Sequence, residues 1–238
     1  MGAGRALAAP RPLVYPEGMR SRLLLPIAAL VAASAWCGVL LAVRKVEFGQ
    51  FGYAGLTWNL VLAWVPLALA TLLLVSYRRG HSRLELAAVG VAWLVFLPNA
   101  PYVLTDFIHL ESGHRVYDSL LIASFALTSL ALGFASLLLV QLVVTRLAGA
   151  ALGWLTAIAS LFVASMGIYL GRVHRVNSWD VVHRPGRLWE LARVRIDDPL
   201  GNIHLIGYVV LFGDFLTFAY ACLYGLSSFV GSQRWPNQ

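Results

Sequence analysis

Residues 84–110 read LELAAVGVAWLVFLPNAPYVLTDFIHL, an apolar segment that Pro98-Asn99-Ala100-Pro101 interrupts near its middle. The part before the first proline extends over roughly 21 Å as an α-helix, which is short of the about 30 Å of hydrocarbon in a bilayer. The two prolines remove backbone donors and disfavour helix at Leu97 and Ala100. The segment is therefore either a kinked span or a re-entrant hairpin that returns to the side from which it started.

The composition of the whole chain is that of an integral membrane protein. Its 238 residues are 59% hydrophobic and 12% charged, with a mean hydropathy of +0.74. A soluble domain usually has about 25% charged residues, and a disordered chain has low hydrophobicity, so both classes are excluded. The sequence predicts an all-α, multi-pass transmembrane helical bundle in which the Pro-broken segment accompanies five full spans. The five apolar runs are residues 23–43, 54–76, 119–145, 151–171 and 205–230.

We expect a single integral membrane domain over residues 23–230. Residues 1–22 are predicted to be a disordered N-terminal tail, and residues 231–238 a short C-terminal tail. Between the last two spans, residues 186–196 combine apolar and charged side chains in the pattern of an amphipathic helix. Such a helix suits the headgroup interface of a membrane.

The distribution of Lys and Arg bears on the topology. If residues 84–110 cross the membrane, each side holds nine of these cations, whereas a re-entrant hairpin puts 14 on one side and four on the other. The positive-inside rule therefore favours the re-entrant hairpin, with a cytoplasmic N-terminus. The net charge of +7 is explained by basic loops. No nucleic-acid-binding motif accompanies it, so a nucleic-acid partner is not expected.

The first candidate site follows the proline break. On an α-helix that starts there, Asn99, Tyr102, Asp106 and His109 fall on one stripe about 80° wide. Asn99 is then a candidate N-cap, and Asn99 and Tyr102 are candidate substrate-binding residues. Asp106 and His109 are candidate catalytic residues that form an acid–base pair. The structural alternative is that Asn99 only caps the helix and Asp106 pairs with a nearby arginine.

The second candidate site is residues 167–180, where the apolar run 151–171 ends. Arg172 and Arg175 lie at helical spacing and have the geometry to hold an anion bidentately. Asn177 and Asp180 complete this predicted substrate-binding set. The alternative is that the arginines only anchor the end of a span. In the re-entrant topology both candidate segments face the same side, and we expect their polar residues to converge.

Asp214 is the third candidate, because it lies near mid-depth of the last apolar run. A carboxylate at that depth is costly unless it is paired or hydrated. Proton or ion relay, pairing with a basic group, and a protonated packing role all remain open. The chain contains no HExxH, GxSxG or P-loop motif, and neither a metal nor a cofactor is expected.

Two stretches resemble the signatures of a bacterial membrane-protein family called domain of unknown function 1361. The first is FLPNAPYVLTDFIHL at residues 96–110, and the second combines GIYLGR at residues 167–172 with NSWD at residues 177–180. Tyr117-Asp118 is similar to a lesser signature between them. The resemblance implies a multi-pass protein of the bacterial cytoplasmic (inner) membrane, and it implies no established activity.

Three functional hypotheses follow, and whether the protein is an enzyme is left open. The first is an interfacial polar site that binds or processes an anionic or lipid-headgroup-like substrate. The second is a small transporter or channel subunit, with a midplane site formed by the broken helix and Asp214 within a homo-oligomer. The third is a structural or assembly protein without a site. The expected partners are membrane lipids and further copies of the chain.

Overall fold

The computed structural model describes residues 17–49, 53–109, 114–197 and 203–232. Within these ranges the regular elements are helices and no strand occurs, which confirms the predicted all-α class. In chain order the elements are α1 (Glu17–Phe48), α2 (Ala54–Arg78), α3 (Arg83–Phe96), α4 (Asn99–Tyr102), a 3₁₀ segment (Val103–His109), α5 (Arg115–Ala148), α6 (Ala150–His174), α7 (Asp180–His183), α8 (Pro185–Asp197) and α9 (Ile203–Ser232).

Six stretches of the described residues are long and apolar enough to cross a membrane. Five of them correspond to the uninterrupted apolar runs, and the sixth, Arg83–Ile108, is the Pro-broken segment. The first helix begins at Glu17, before the predicted start of the first span, whereas residues 1–16 and 233–238 lie outside the described ranges. The amphipathic helix expected at residues 186–196 is present as α8. Its position at the headgroup interface stays a prediction.

The Pro-broken segment runs antiparallel to α2 along most of its length. It begins at Arg83, just beyond the end of α2, and Leu86 shares a buried cluster with Leu73 from the C-terminal part of α2. At its other end, Asp106 accepts a hydrogen bond of 3.3 Å from Asn59 Nδ2, in the second turn of α2. The segment therefore crosses the bundle as a kinked span. The re-entrant hairpin that the charge distribution favoured is wrong.

The charge distribution misled because the packing of the Pro-broken segment along α2 determines its path, and the cation count does not. Two of the counted arginines are also not loop charges, although without them the hairpin would still place 13 cations on one side and three on the other. Arg44 is 1% exposed, and its Nε lies 2.7 Å from an oxygen of Asp118. Arg172 Nη2 lies 2.7 Å from an oxygen of Asp106. Both cations are neutralised within the bundle, so neither should be counted as a loop charge that sets orientation.

The backbone stays helical through the proline break, contrary to the expected loss of helix before each proline. Leu97 has φ −53° and ψ −40°, and Pro98 has φ −57° and ψ −25°. Beyond the break, the Tyr102 amide donates to the Pro98 carbonyl at 3.1 Å. The prolines thus bend this span without ending it, as proline does when neighbouring packing holds the helix on both sides of the bend.

The helix α5 is central, because it contacts α1, α2, α4, the 3₁₀ segment and α6. The helix α9 joins the bundle mainly through α6, and Gly213 in its middle contacts Phe162. Since successive spans alternate in direction, α1, the 3₁₀ segment and α6 finish at the end of the bundle where α2, α5 and α9 start. We call this the site end. The start of α1 and the finish of α9 lie at the opposite, terminal end.

Candidate functional site

The two signature segments pack against each other toward the site end. A Cβ atom at Gly167 would lie 2.5 Å from Pro98 Cγ, and one at Gly171 would lie 3.0 Å from Tyr102 Cε2. A Cβ at Gly167 would overlap the Pro98 ring, which would have to shift, whereas a Cβ at Gly171 would displace the Tyr102 ring by only a few tenths of an ångström. The glycines of the second signature therefore let α6 approach the kink of the first signature closely.

Arg172 is the centre of a polar cluster formed by α2, the 3₁₀ segment and α6. Its Nη2 donates to Asp106 Oδ1 at 2.7 Å, and its Nε donates to Thr105 Oγ1 at 3.0 Å. The guanidinium lies over the ring of Tyr102, 4.9 Å from the centroid, in a cation–π contact. The other oxygen of Asp106 accepts from Asn59. Both charges are thus compensated, and the cluster links α2, the 3₁₀ segment and α6, with the Tyr102 ring of α4 beside them.

The loop that follows α6 is held by side chains of both signatures. Arg175 ends the helix in the left-handed region, with φ 53°, and its side chain is exposed. The backbone N–H of Asn177 donates to Asp180 Oδ2 at 2.8 Å. Asn99 Nδ2 donates to Ser178 Oγ at 2.9 Å, which connects the loop to the proline break. The loop conformation therefore depends on the kinked span.

A cavity of about 210 Å³ lies between α2, the proline kink, α6 and this loop. Its lining consists of apolar side chains, glycines and neutral polar groups, and none of the described lining residues carries a formal charge. Within the described ranges, no group of three or more His, Cys, Asp or Glu side chains is placed to hold a metal ion. The polar lining residues are Asn59, Asn99, Tyr102, Asn177 and Ser178.

Asn99 has a different role from the predicted one. Pro98 occupies the N-cap position of α4, and no side chain caps that helix. The Asn99 amide instead donates to the Phe96 carbonyl at 2.9 Å as well as to Ser178. The N-cap prediction is wrong because the backbone stays helical across the break. No new helix start therefore leaves its first backbone N–H groups without acceptors there.

Asp106 pairs with Arg172, as the structural alternative proposed. His109 is the last residue of the 3₁₀ segment, and its side chain lies outside the described part of the chain. The acid–base pair of these two residues stays a prediction. The predicted anion clamp is not assembled in the cavity, since its described lining includes neither Arg172 nor Arg175.

Asp214 lies apart from the polar cluster. Its side chain is exposed on the outer surface of α9, and within the described ranges it makes no hydrogen bond or ion pair. The proline break, in contrast, packs among α2, α5 and α6. The broken helix and Asp214 therefore do not form a joint midplane site within one copy of the chain.

A second polar cluster at the site end was missed by sequence reasoning. Arg44 donates to both oxygens of Asp118, from Nε at 2.7 Å and from Nη2 at 3.1 Å. The Tyr53 hydroxyl donates to Asp118 at 3.4 Å, and the guanidinium lies 4.5 Å from the centroid of the Tyr53 ring. The signal in the sequence was a carboxylate at the start of a long apolar run, which requires a cation that only the tertiary structure identifies.

The helical bundle, with its six apolar stretches and its polar clusters at one end, defines the class as a multi-pass membrane protein. A family model described as "Protein of unknown function (DUF1361)" matches residues 58–219, more than half of the chain. The chain belongs to this family, which confirms the resemblance found in the sequence. The matched region includes both signatures and Asp118, whereas Arg44 and Tyr53 precede it. No curated protein and no solved structure matches the chain.

Proposed function

We propose that the protein binds the polar headgroup of a membrane lipid in the cavity between the two signature segments. The observation that carries this proposal is the cavity's depth in the bundle. Trp58, in the second turn of α2, is 57% exposed, and its ring lies 6.3 Å from that of Trp179. Tryptophan is enriched at membrane–water interfaces, so this pair supports a cavity at the level of the headgroups.

The chemistry of the lining favours a neutral or zwitterionic headgroup. The amides of Asn59, Asn99 and Asn177 can each donate and accept hydrogen bonds, and the Ser178 hydroxyl can do the same. Arg172 already balances the charge of Asp106, so the described lining offers no unbalanced cation to a simple anion. A headgroup with hydroxyl or amine groups satisfies this lining better than the anionic substrate that the two arginines predicted.

Asp106 and Arg172 act as positioning residues in this proposal. They hold the 3₁₀ segment against α6, and Asn59, which binds Asp106, also lines the cavity. The ion pair thus fixes the orientation of the Asn59 side chain, which forms part of the cavity wall. The proposal concerns binding, and it assigns no chemical step to Asp106.

The distribution of cations supports a cytoplasmic terminal end and a site end on the outer face of a bacterial cytoplasmic membrane. Nine Lys and Arg residues belong to segments at each end. Two of the nine at the site end, Arg44 and Arg172, are paired inside the bundle, which leaves seven. The surplus therefore lies at the terminal end, and positive loops favour the cytoplasmic side.

The test measures lipid binding by the purified full-length protein in phosphatidylcholine nanodiscs. Phosphatidylethanolamine, a diglucosyl lipid and phosphatidylglycerol with the same acyl chains are titrated in, and thermal stabilisation reports binding. We expect phosphatidylethanolamine or the diglucosyl lipid to raise the unfolding temperature above its value in phosphatidylcholine alone. The variant N99L should bind the preferred lipid about three- to tenfold more weakly, the effect of one or two lost neutral hydrogen bonds.

The matched control is T71V, which removes an exposed hydroxyl from α2 that bonds only to the Leu67 carbonyl in the described structure. It should bind as the wild type does. No stabilisation by phosphatidylethanolamine or the diglucosyl lipid above phosphatidylcholine alone, or equal losses in N99L and T71V, would overturn the proposal.

A further inference from the structure

We propose that a groove at the terminal end of the bundle binds one anionic phospholipid of the adjacent leaflet. The groove has a volume of about 530 Å³ and lies between α3 and the ends of α5 and α6. Its lining is mostly aliphatic, with Arg83 at its margin. This inference is independent of the headgroup cavity, which lies at the other end of the molecule.

The groove lies on the terminal-end side of the proline break. At the break, Gly133 lets Ala100 approach α5 closely, because a Cβ at this glycine would lie 2.7 Å from the Cβ of Ala100. On the terminal-end side of the break, α3 packs on α2, and Trp93 Nε1 donates a hydrogen bond of 3.1 Å to Ser136 Oγ of α5. From Arg83 to Leu94 the helix lines the groove together with the last turns of α5 and the first part of α6.

The dimensions of this space fit an acyl chain. From Arg83 to Leu94 the helix rises roughly 16 Å, which is about half of the roughly 30 Å hydrocarbon thickness of a bilayer. The groove therefore extends over about one leaflet. Gly90 lies in its wall, and no atom lies within 4 Å of the position that a Cβ would occupy there. This glycine thus widens the groove without being required for contacts between helices.

The groove ends at a basic margin. Arg83 is exposed in the first turn of α3, and within the described ranges it makes no hydrogen bond or ion pair. Arg146 lies in the last turn of α5, beside the lining residue Leu147, and is also exposed. Arg78 is the last residue of the neighbouring helix α2, and Arg79 follows it.

Basic residues beside an apolar cleft between spanning helices are the usual recognition elements for anionic lipid headgroups. Free phosphate would satisfy only the basic margin. A phospholipid also accounts for the apolar groove that continues below it.

The experiment uses the full-length protein in nanodiscs of phosphatidylcholine with increasing phosphatidylglycerol of identical acyl chains, and native mass spectrometry counts the bound lipids. We expect one phosphatidylglycerol to be retained in preference to phosphatidylcholine. The variant R83Q should reduce this preference about fivefold, and R83K should keep most of it. The variant G90L fills the groove and should reduce retention of both lipids.

The matched control is R175Q, which removes an exposed arginine from the site end and should leave the preference unchanged. Equal retention of the two lipids by the wild type, or equal losses in R83Q and R175Q, would overturn the inference. N99L separates the two proposals, because it should weaken binding in the headgroup cavity and leave phosphatidylglycerol retention as in the wild type. Thermal unfolding without added lipid identifies any variant that is simply misfolded.

Discussion

The side chain of Arg172 connects most of the polar groups at the site end. Its planar guanidinium reaches Thr105 and Asp106 together while it covers the ring of Tyr102. An ammonium group carries the same charge on a flexible stem, and it lacks the fixed fork needed for both bonds and the stacking contact. The cluster therefore depends on guanidinium geometry as well as on charge.

We expect the conservative change Arg172→Lys to lower the free energy of unfolding by about 2 kcal/mol, the order of a lost hydrogen bond to a charged group. The measurement is unfolding of the purified protein in detergent, followed by tryptophan fluorescence. Arg175→Lys is the control, since Arg175 is exposed, and it should change the same free energy by less than about 0.5 kcal/mol. Equal effects of the two changes would contradict the role given to Arg172.

At the scale of elements, the kinked span is positioned by glycines on its neighbours. Gly133 on α5 and Gly167 on α6 face Ala100 and Pro98, which lie in or beside α4. Because the proline ring is rigid, it cannot turn away from an added methyl group as a long side chain could. The glycines and the prolines are thus two halves of one packing arrangement, although they lie far apart in the sequence.

Gly167→Ala should destabilise the protein by about 1–3 kcal/mol, the usual cost of overpacking. Gly38→Ala on α1 is the control, because no atom lies within 4 Å of its Cβ position. There the change should be neutral or stabilising by up to about 1 kcal/mol, since alanine is the better helix former. Thermal unfolding midpoints in detergent report both. If Gly167→Ala proved as stable as the wild type, the close approach of α6 to the kink would be refuted.

At the scale of the whole molecule, the kinked crossing places the two ends of residues 83–109 on opposite sides of the membrane. Exposed histidines lie near both ends, His81 before α3 and His114 before α5. With Cys222 replaced by Ser, a membrane-impermeant maleimide should label H114C in intact cells, and H81C only after lysis. Labelling of both positions in intact cells would contradict the crossing. The reverse pattern would contradict the orientation proposed for the bundle.

The exposed carboxylate of Asp214 has a consequence for assembly. At 100° per residue, Gly207, Asp214, Ala221 and Gly225 fall within about 40° on the outer face of α9, and all four are exposed. No atom lies within 4 Å of the Cβ position of either glycine on this face, whereas neighbouring Gly213 packs on Phe162. A carboxylate in hydrocarbon costs about 2.5–3.5 kcal/mol. A protonated carboxyl can donate to and accept from its counterpart in a second copy, which offsets this cost.

We therefore expect two copies to associate through this face of α9. In a C222S background, oxidative cross-linking of A221C in membranes should give a dimer, and the additional change D214A should reduce its yield severalfold. V91C on the exposed surface of α3 is the control and should not cross-link. Dimer formation that persists at full yield in D214A, or that is equal for A221C and V91C, would contradict pairing through Asp214.

The sequence by itself determined the class of the protein and the positions of its helices. Apolar runs long enough to cross a bilayer permit few alternatives, because every backbone amide in hydrocarbon must be bonded within the chain. The resemblance to the family also depended on local motifs alone. The proline break, the amphipathic α8 and the unusual depth of Asp214 were visible for the same reason, since each is a local pattern along the chain.

Only the tertiary structure decided which residues meet. Whether residues 84–110 cross the bundle depends on how Pro98 fits against Gly167, a contact between distant positions. The partner of Asp106 is Arg172 on another helix, a pairing that no local pattern specifies. The depth of Asp214 made it a candidate for an internal site, but the packing of α9 on α6 leaves its side chain exposed on the outer surface. Periodicity along one helix defines its faces, but the neighbour of each face is determined by packing between helices.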